Sequence, residues 1–250
     1  MALLFGATTA DRVNIPDATS IRLTASSSMT WLVWFYISTF TAGRRIMGKN
    51  GFDGNGGPFL ALSGTTELQW TFAATTLNAQ AVSNNLSLAT GTWYCAAVDY
   101  DPADSQHNRI FFGTLTTPLA EAGYAGGGSQ LSGTSPSTVP LRIGNTSEAS
   151  PTTAFQGRVA IAGQWSPKLS LDDKKTQQYW GDLTVRTNCG AFYALEAVDQ
   201  GGLGAQTDQS GNGNTGTPTG TSFAAHVPLT LHYGVPTYAD FPKYAMRQAA

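Results

Sequence analysis

Short apolar segments recur along most of the chain, roughly 10 to 15 residues apart, with Gly, Pro, Ser, Thr or Asn between them. This spacing is typical of an all-β sandwich or jelly roll, because a strand needs only about five or six residues before the chain turns back. Helices that would connect parallel strands are missing between the segments, which excludes a repeating βαβ fold. The predicted strands are residues 11–15, 30–39, 44–50, 58–64, 67–73, 79–85, 92–101, 108–115, 140–146, 158–165 and 190–197.

Segments 30–39 and 92–101 are the most apolar of these predicted strands. Alternate side chains of a strand point to opposite faces of the sheet, and segment 30–39 is apolar on both faces. Such a strand must be covered on both sides, so we expect it at the centre of a sheet. We predict that Trp34 and Trp93 are buried between the two sheets.

The charge of the chain is low and evenly spread. Charged residues make up 12% of the 250 residues, about half of the usual share, and the net charge is −2. The densest basic stretches are the pairs Arg44-Arg45 and Lys174-Lys175, which is not a nucleic-acid footprint. No apolar run approaches the roughly 20 residues of a membrane span, and the N-terminus does not have the pattern of a secretory signal. We expect no nucleic-acid or membrane partner and no signal peptide.

Helix-forming features are concentrated in one segment, which directly follows the predicted strand 158–165. Pro167 prevents that strand from continuing, and Ser170 is a suitable N-cap with acidic residues after it. The helix would have only about two to three turns, too few to be stable alone in water. We interpret it as a structural plug over an open end or an apolar edge of the sandwich; the alternative is a contact surface for a partner.

Four stretches resemble, in the family's own order, laminin-G-like domains of the concanavalin A-like lectin/glucanase superfamily. They are TGTWYCAAVDYD, NRIFFGTL, PLRIGNT and the closing segment FQGRVAIAGQWSPKLSLDDKKTQQYW. The resemblance covers about residues 10–182. It implies a jelly-roll sandwich of two antiparallel sheets with one short helix. DQSGNGNTGT is similar to a further segment of such domains in phage and bacterial surface proteins, which suggests a second strand-pairing element.

The carboxylates do not match those of the catalytic relatives. Glucanases of this superfamily use a Glu-x-Asp-x-Glu strand, whereas none of Glu67, Glu121, Glu148 and Glu196 has an acid two residues away. Glycoside hydrolysis needs two carboxyl groups at a defined separation. We therefore predict no catalytic residue and no enzymatic activity, and a glycoside hydrolase is the least favoured function.

An acidic cluster, Asp99, Asp101 and Asp104, is the candidate metal site. The resemblance implies a possible Ca²⁺ site, because many members of this superfamily hold Ca²⁺ with loop carboxylates. Ca²⁺ takes six to eight oxygen ligands. The alternative is a solvated turn, DYDPADS, without a metal. We otherwise expect no cofactor.

Aromatic side chains are the candidate sugar contacts. Trp70, Tyr100 and Trp165 are the proposed stacking residues, although most aromatic residues at alternating strand positions belong to a core. The two cysteines, Cys95 and Cys189, are interpreted as buried free thiols, with a disulfide as the alternative in a chain that ends up outside a cell.

Composition divides the chain into residues 1–198, a laminin-G-like sandwich, residues 199–222, a Gly/Thr/Asn-rich linker or loop, and residues 223–250, an aromatic arm. The arm has apolar area to bury without a fold of its own. It either docks back on the sandwich or packs on another protein. Its predicted partner-binding residues are Tyr233, Tyr238, Phe241 and Tyr244.

These observations favour a non-catalytic structural protein of a virus particle, a bacteriophage capsid decoration or tail-associated protein. The expected location is the virion, assembled in the host cytoplasm. The expected partners are other virion proteins such as the major capsid protein, further copies of the chain, and host-surface glycans. The alternative is a free-standing glycan-binding lectin.

Overall fold

The computed structural model describes residues 2–6, 8, 10–22, 26–49, 57–64, 66–73, 78–126, 138–145, 153–195 and 204–229. Two antiparallel sheets of eight strands each pack face to face. Sheet A contains β1 (Ala2–Gly6), β3 (Met29–Ile37), β8 (Trp93–Tyr100), β9 (Asn108–Gly113), β10 (Ala120–Glu121), β13 (Gln156–Trp165), β14 (Cys189–Ala194) and β16 (Ser222–Ala224). Sheet B contains β2 (Arg12–Ile15), β4 (Arg45–Gly48), β5 (Pro58–Ser63), β6 (Glu67–Ala73), β7 (Asn78–Ser83), β11 (Tyr124–Gly126), β12 (Leu141–Ile143) and β15 (Thr217–Thr219).

The strand order places the two long strands β3 and β13 at the centre of sheet A. The order is β10-β9-β8-β3-β13-β1-β16 in sheet A, with β14 also paired to β13, and β11-β7-β6-β5-β4-β12-β2-β15 in sheet B. A 3-10 turn (Thr19–Ile21) and one α-helix, α1 (Leu171–Gln178), are the helical elements of the described residues. No helix among them is long and apolar enough to cross a membrane. The predicted lectin-like sandwich of two antiparallel sheets is confirmed.

Every strand predicted from the apolar pattern is present, within a few residues of its predicted ends. The strands that the pattern missed are β1, β10, β11, β15 and β16. All five have only two to five residues. Strands this short show no alternation of their own, and backbone pairing to a neighbouring strand defines them instead.

The inner core lies between the two sheets. β3 contributes Trp31, Val33, Phe35 and Ile37 to it, and all are fully buried. The ring of Trp31 meets the ring of Trp70 on sheet B edge to face, with their centroids 5.0 Å apart. The prediction that β3 is a central strand is confirmed.

A second apolar cluster covers the outer face of sheet A, and it corrects the prediction for Trp34 and Trp93. Trp34 is fully buried but belongs to this outer cluster, because it alternates with Trp31 along the strand. Trp93 is only half-buried, at the margin of the same cluster. Neither side chain lies between the sheets.

Helix α1 docks on the outer face of sheet A through polar side chains. The Ser170 hydroxyl caps the helix by accepting from the Asp173 backbone N–H, as predicted. The buried helical residues are Lys174, Gln177 and Gln178, whereas Leu171 is exposed. The helix therefore covers a sheet face rather than an edge or an open end, which supports the structural interpretation of this element.

Each buried helical amide satisfies the backbone of a neighbouring loop. Gln178 accepts from the Leu119 N–H at 2.7 Å and donates to the carbonyls of Thr114 and Thr117. Gln177 accepts from the N–H groups of Thr184 and Val185. Buried polar groups are stable only when they are hydrogen-bonded in this way. A helix with few apolar residues can thus serve as a cover.

Residues 204–229 differ from the linker and arm that composition indicated. β15 pairs with β2 at the edge of sheet B, and β16 pairs with β1 at the edge of sheet A. Between Gln206 and Gly216, the Asp208 carboxylate accepts from the backbone N–H groups of Phe192, Ser210 and Asn214. Backbone and side-chain hydrogen bonds replace apolar burial here, which explains why a Gly/Thr-rich segment can join the sandwich.

Candidate functional site

The three aromatic residues predicted to stack on a sugar all lie in the interior. Trp70, Tyr100 and Trp165 are each fully buried. Trp70 and Tyr100 belong to the inner core, and Trp165 belongs to the outer cluster, where its Nε1–H donates to the Val185 carbonyl. A ring without exposed surface has no face to offer a ligand, so the prediction for these residues is corrected.

The three aspartates of the candidate metal site do not converge. Asp99 is buried and accepts from Lys174 Nζ at 2.5 Å and from Thr30 Oγ1 at 2.6 Å. Asp101 pairs with Lys168 Nζ at 2.6 Å. Asp104 pairs with Arg109 at 2.9 Å, and its Oδ2 also lies 3.8 Å from Lys168 Nζ.

The ionisation of these aspartates follows from their partners. Arg109 and the Gln106 N–H lower the pKa of Asp104 to about 2. Burial acts to raise the pKa of Asp101, but the Lys168 ammonium outweighs it and the net change is a lowering. Burial raises the pKa of Asp99, and Lys174 offsets only part of that rise. Each of the three aspartates is therefore paired with a Lys or Arg of the protein itself.

Nothing else in the described ranges forms a metal site, since no group of three His, Cys, Asp or Glu side chains comes together there. Cys95 and Cys189 are both buried free thiols, as predicted. Burial raises the pKa of both, in the case of Cys189 to about 12. The predicted arm residues Tyr233, Tyr238, Phe241 and Tyr244 lie outside the described residues.

The outer face of sheet B carries the site that the sequence did not indicate. One row of paired residues crosses this sheet from strand to strand. Its outward residues alternate with core residues such as Val13, Leu60 and Trp70, which point inward. We call this row the polar face; its members are Thr217, Asn14, Arg142, Gly48, Phe59, Thr71 and Gln80.

The polar face combines the half-buried ring of Phe59 with polar side chains. Asn14, Gln80 and Thr217 are at least partly exposed, whereas Thr71 and Arg142 are buried. The Arg45 guanidinium lies 4.4 Å from the centroid of the half-buried Phe59 ring. Arg142 Nε donates to Asn14 Oδ1 at 3.2 Å, and the buried Gly48 pairs with both Arg142 and Phe59 in the row. A half-buried ring can pack against one face of a ligand while neighbouring polar side chains form hydrogen bonds with its edge.

Sequence reasoning missed the polar face for a physical reason. Its residues come from strands far apart in the chain, and only the strand order places Asn14 beside Arg142. The signal that was available is the polar half of each alternating strand, for example Gln69 and Thr71 in β6.

The geometry and the family comparison agree on the kind of fold. The sheets form a lectin-like β-sandwich, and a family model described as the concanavalin A-like lectin/glucanases superfamily matches residues 7–173. The match covers more than half of the chain, and the protein belongs to this laminin-G-type family. A search of curated proteins found no match.

Solved structures with a similar fold come from several kinds of protein. The binding domain of Paraclostridial Mosquitocidal Protein 1 has a TM-score of 0.52 and 11% identity, covering 71% of this chain and 42% of that chain. Domains LG4-5 of the mouse laminin alpha1 chain have a TM-score of 0.41 and 12% identity, covering 65% and 40%. The Ruminococcus gnavus IT-sialidase CBM40, bound to alpha2,3 sialyllactose, has a TM-score of 0.42 and 11% identity, covering 60% and 82%.

At 11% identity, the mosquitocidal binding domain shows similarity of fold alone. The chain also spans less than half the length of the laminin and mosquitocidal structures.

Proposed function

We propose that this protein is a non-catalytic structural protein of a virus particle, a bacteriophage capsid decoration or tail-associated protein. In this proposal the sandwich is held on the particle by other virion proteins, and the polar face binds glycans of the host surface. The chain is made and assembled in the host cytoplasm, as several copies per particle. The proposal contains a binding role and a location, which rest on different observations.

The chemistry of the polar face carries the binding role. Its accessible groups are the amides of Asn14 and Gln80 and the hydroxyl of Thr217, on the same face as the Phe59 ring, and Glu67 is the single carboxylate in all strands of sheet B. Hydrolysis of a glycosidic bond needs two carboxyl groups, one as acid and one as base or nucleophile. A face with this composition supports binding of a neutral sugar without turnover.

Two further observations support the location. Cys95 and Cys189 are free and buried, which fits a chain that folds in a reducing cytoplasm. The predicted arm carries four aromatic residues within residues 233–244, which is apolar area suited to contact with a capsid or tail protein.

The location is tested by mass spectrometry of purified particles of the phage that encodes the chain, followed by re-addition of the purified chain to particles that lack it. We expect a fixed number of copies per particle and saturable co-sedimentation. Replacement of Tyr233, Tyr238, Phe241 and Tyr244 together by Ala should abolish co-sedimentation. The matched control, Phe59→Ala, should leave it unchanged. Absence of the chain from particles would refute the proposed location.

A free-standing lectin is the second candidate, and the polar face itself favours it, because sugar binding there needs no particle. A glycan array with the chain and with Phe59→Ala and Gln80→Ala tests this function. Both substitutions should weaken binding by about tenfold. Phe59→Ala removes the ring on which the sugar would pack, and Gln80→Ala removes an amide that would form a hydrogen bond with it. Ser105→Ala, at an exposed position next to sheet A, is the control. Glycan binding by a chain that is absent from particles would favour the lectin.

A further inference from the structure

The outer face of sheet A is only partly covered by α1. Fully buried residues under the cover include Leu32, Trp34 and Ala160. Farther along the same strands, the outward residues Tyr36, Trp93 and Arg158 are half-buried. We call these three residues the outer ladder.

The outer ladder is a contiguous row, because its residues are direct cross-strand partners. Arg158 of β13 pairs with Tyr36 of β3, and Tyr36 pairs with Trp93 of β8. The centroids of the Tyr36 and Trp93 rings are 5.5 Å apart, with the rings inclined by 56°. The guanidinium of Arg158 lies 4.4 Å from the centroid of the Tyr36 ring. Two rings and a planar cation thus form one surface across three neighbouring strands, β13, β3 and β8, near one end of each strand.

Arg158 has no acceptor within the described part of the chain. Its Nε is buried without a hydrogen-bond partner, and no ion pair there involves its guanidinium. Other cations are matched to carboxylates, for example Lys174 to Asp99 and Arg109 to Asp104. A guanidinium held on a ring is pre-organised to bind a carboxylate through two parallel hydrogen bonds. The structure therefore presents a donor whose anionic acceptor is missing.

The surroundings of the ladder favour a saccharide as the source of that carboxylate. Ser38 and Thr92, which follow Tyr36 and precede Trp93 in the chain, are exposed hydroxyl residues. The Tyr36 hydroxyl has no hydrogen-bond partner among the described residues, and it lies beside the open turn at Gly91. Half-exposed rings bind the apolar face of a sugar, and hydroxyls at the rim bind its polar edge.

We propose that the outer ladder is a second binding site, specific for an acidic saccharide. A pyranose ring packs against Trp93 and Tyr36, and its carboxylate accepts hydrogen bonds from Arg158. The site lies on the opposite sheet from the polar face and uses none of its residues. It therefore stands or fails independently of the function proposed for that face.

Calorimetric titration of the full chain tests the site with two matched pairs of probes. Trigalacturonic acid is compared with its methyl ester, and 3′-sialyllactose with lactose. We expect at least one acidic probe to bind at least about tenfold more tightly than its neutral partner, because a hydrogen-bonded charge contributes this much. This preference should decrease as the NaCl concentration rises, since the ion pair lies at the surface.

Variants separate the two parts of the site. Arg158→Met keeps an apolar stem over Tyr36 and should remove the preference for the acidic probe. Trp93→Ala should weaken the acidic and neutral probes alike, whereas Ser105→Ala, at an exposed position outside both proposed sites, should change neither. Thermal unfolding shows whether each variant is folded. If Arg158→Met does not fold, Arg158→Lys replaces it, because lysine keeps the positive charge but cannot form the two parallel hydrogen bonds of a guanidinium. Equal affinity for acidic and neutral probes, no binding of either acidic probe, or unchanged preference in the Arg158 variant would overturn the proposal.

Discussion

Lys174→Met tests whether the buried ion pair holds α1 on the sandwich. The Lys174 and Asp99 side chains are 2% and 4% exposed, and Lys174 Nζ also donates to the Leu169 carbonyl. Methionine keeps the length of the stem but leaves the Asp99 carboxylate buried without a cation. Loss of one partner from such a pair costs about 3–5 kcal/mol. With a urea m-value of about 3 kcal/mol/M, the unfolding midpoint should fall by about 1–1.7 M.

The measurement is urea unfolding followed by tryptophan fluorescence, with Lys168→Met as the matched control. Lys168 pairs with Asp101 at 2.6 Å, but its side chain is 33% exposed. A surface pair contributes about 1 kcal/mol or less, so the control should shift the midpoint by no more than about 0.3 M. Adding Asp99→Asn to Lys174→Met should recover part of the loss, because the unpaired charge is then gone.

The same variant has a defined pH dependence. Burial already raises the pKa of Asp99, and removal of Lys174 takes away the charge that offsets this rise. The folded variant then binds a proton more readily than its unfolded chain, so its stability increases as the pH falls. The penalty should therefore be smaller near about pH 5 than near about pH 7. A midpoint shift no larger than that of Lys168→Met, or a penalty independent of pH, would refute the reasoning.

Three other predictions concern the rest of the sandwich. Trp34→Ala should cost about 3–5 kcal/mol in the free energy of unfolding, because the side chain is fully buried under α1 and donates to the Gln178 carbonyl at 2.7 Å; an unchanged midpoint in urea would contradict this. Asp208→Ala should cost about 3 kcal/mol or more, because several backbone N–H groups lose a charged acceptor; Asp208→Asn, which keeps one oxygen, should lose less in the same assay. Cys95 and Cys189 should react with a thiol reagent only after unfolding, because burial raises the pKa of both thiols and blocks access of the reagent to the sulfur. Rapid labelling of the folded chain would show that the outer cluster opens.

Local pattern in the sequence determined most of the sandwich. Alternating apolar residues predicted the long strands, and the run from Trp31 to Ile37 predicted a central one, because side-chain direction within a strand is set by its period of two. Ser170 and the acidic residues after it predicted the start of α1, because N-capping acts within a single turn. The spacing of Glu67, Glu121, Glu148 and Glu196, none of which has an acid two residues away, is the sequence basis for the prediction that the chain does not hydrolyse glycosides.

Only the tertiary structure decided which face of a sheet each side chain reached and which residues became neighbours. Trp34 in β3 and Trp70 in β6 are both tryptophans in apolar strands. Trp34 lies under α1, whereas Trp70 lies between the sheets. α1 docks through Lys174 and two glutamines, which no apolar pattern marks. Strand order and register are long-range properties, set by pairing between distant segments. For that reason the row of Arg158, Tyr36 and Trp93 cannot be recognised from residues 36, 93 and 158 of the sequence alone.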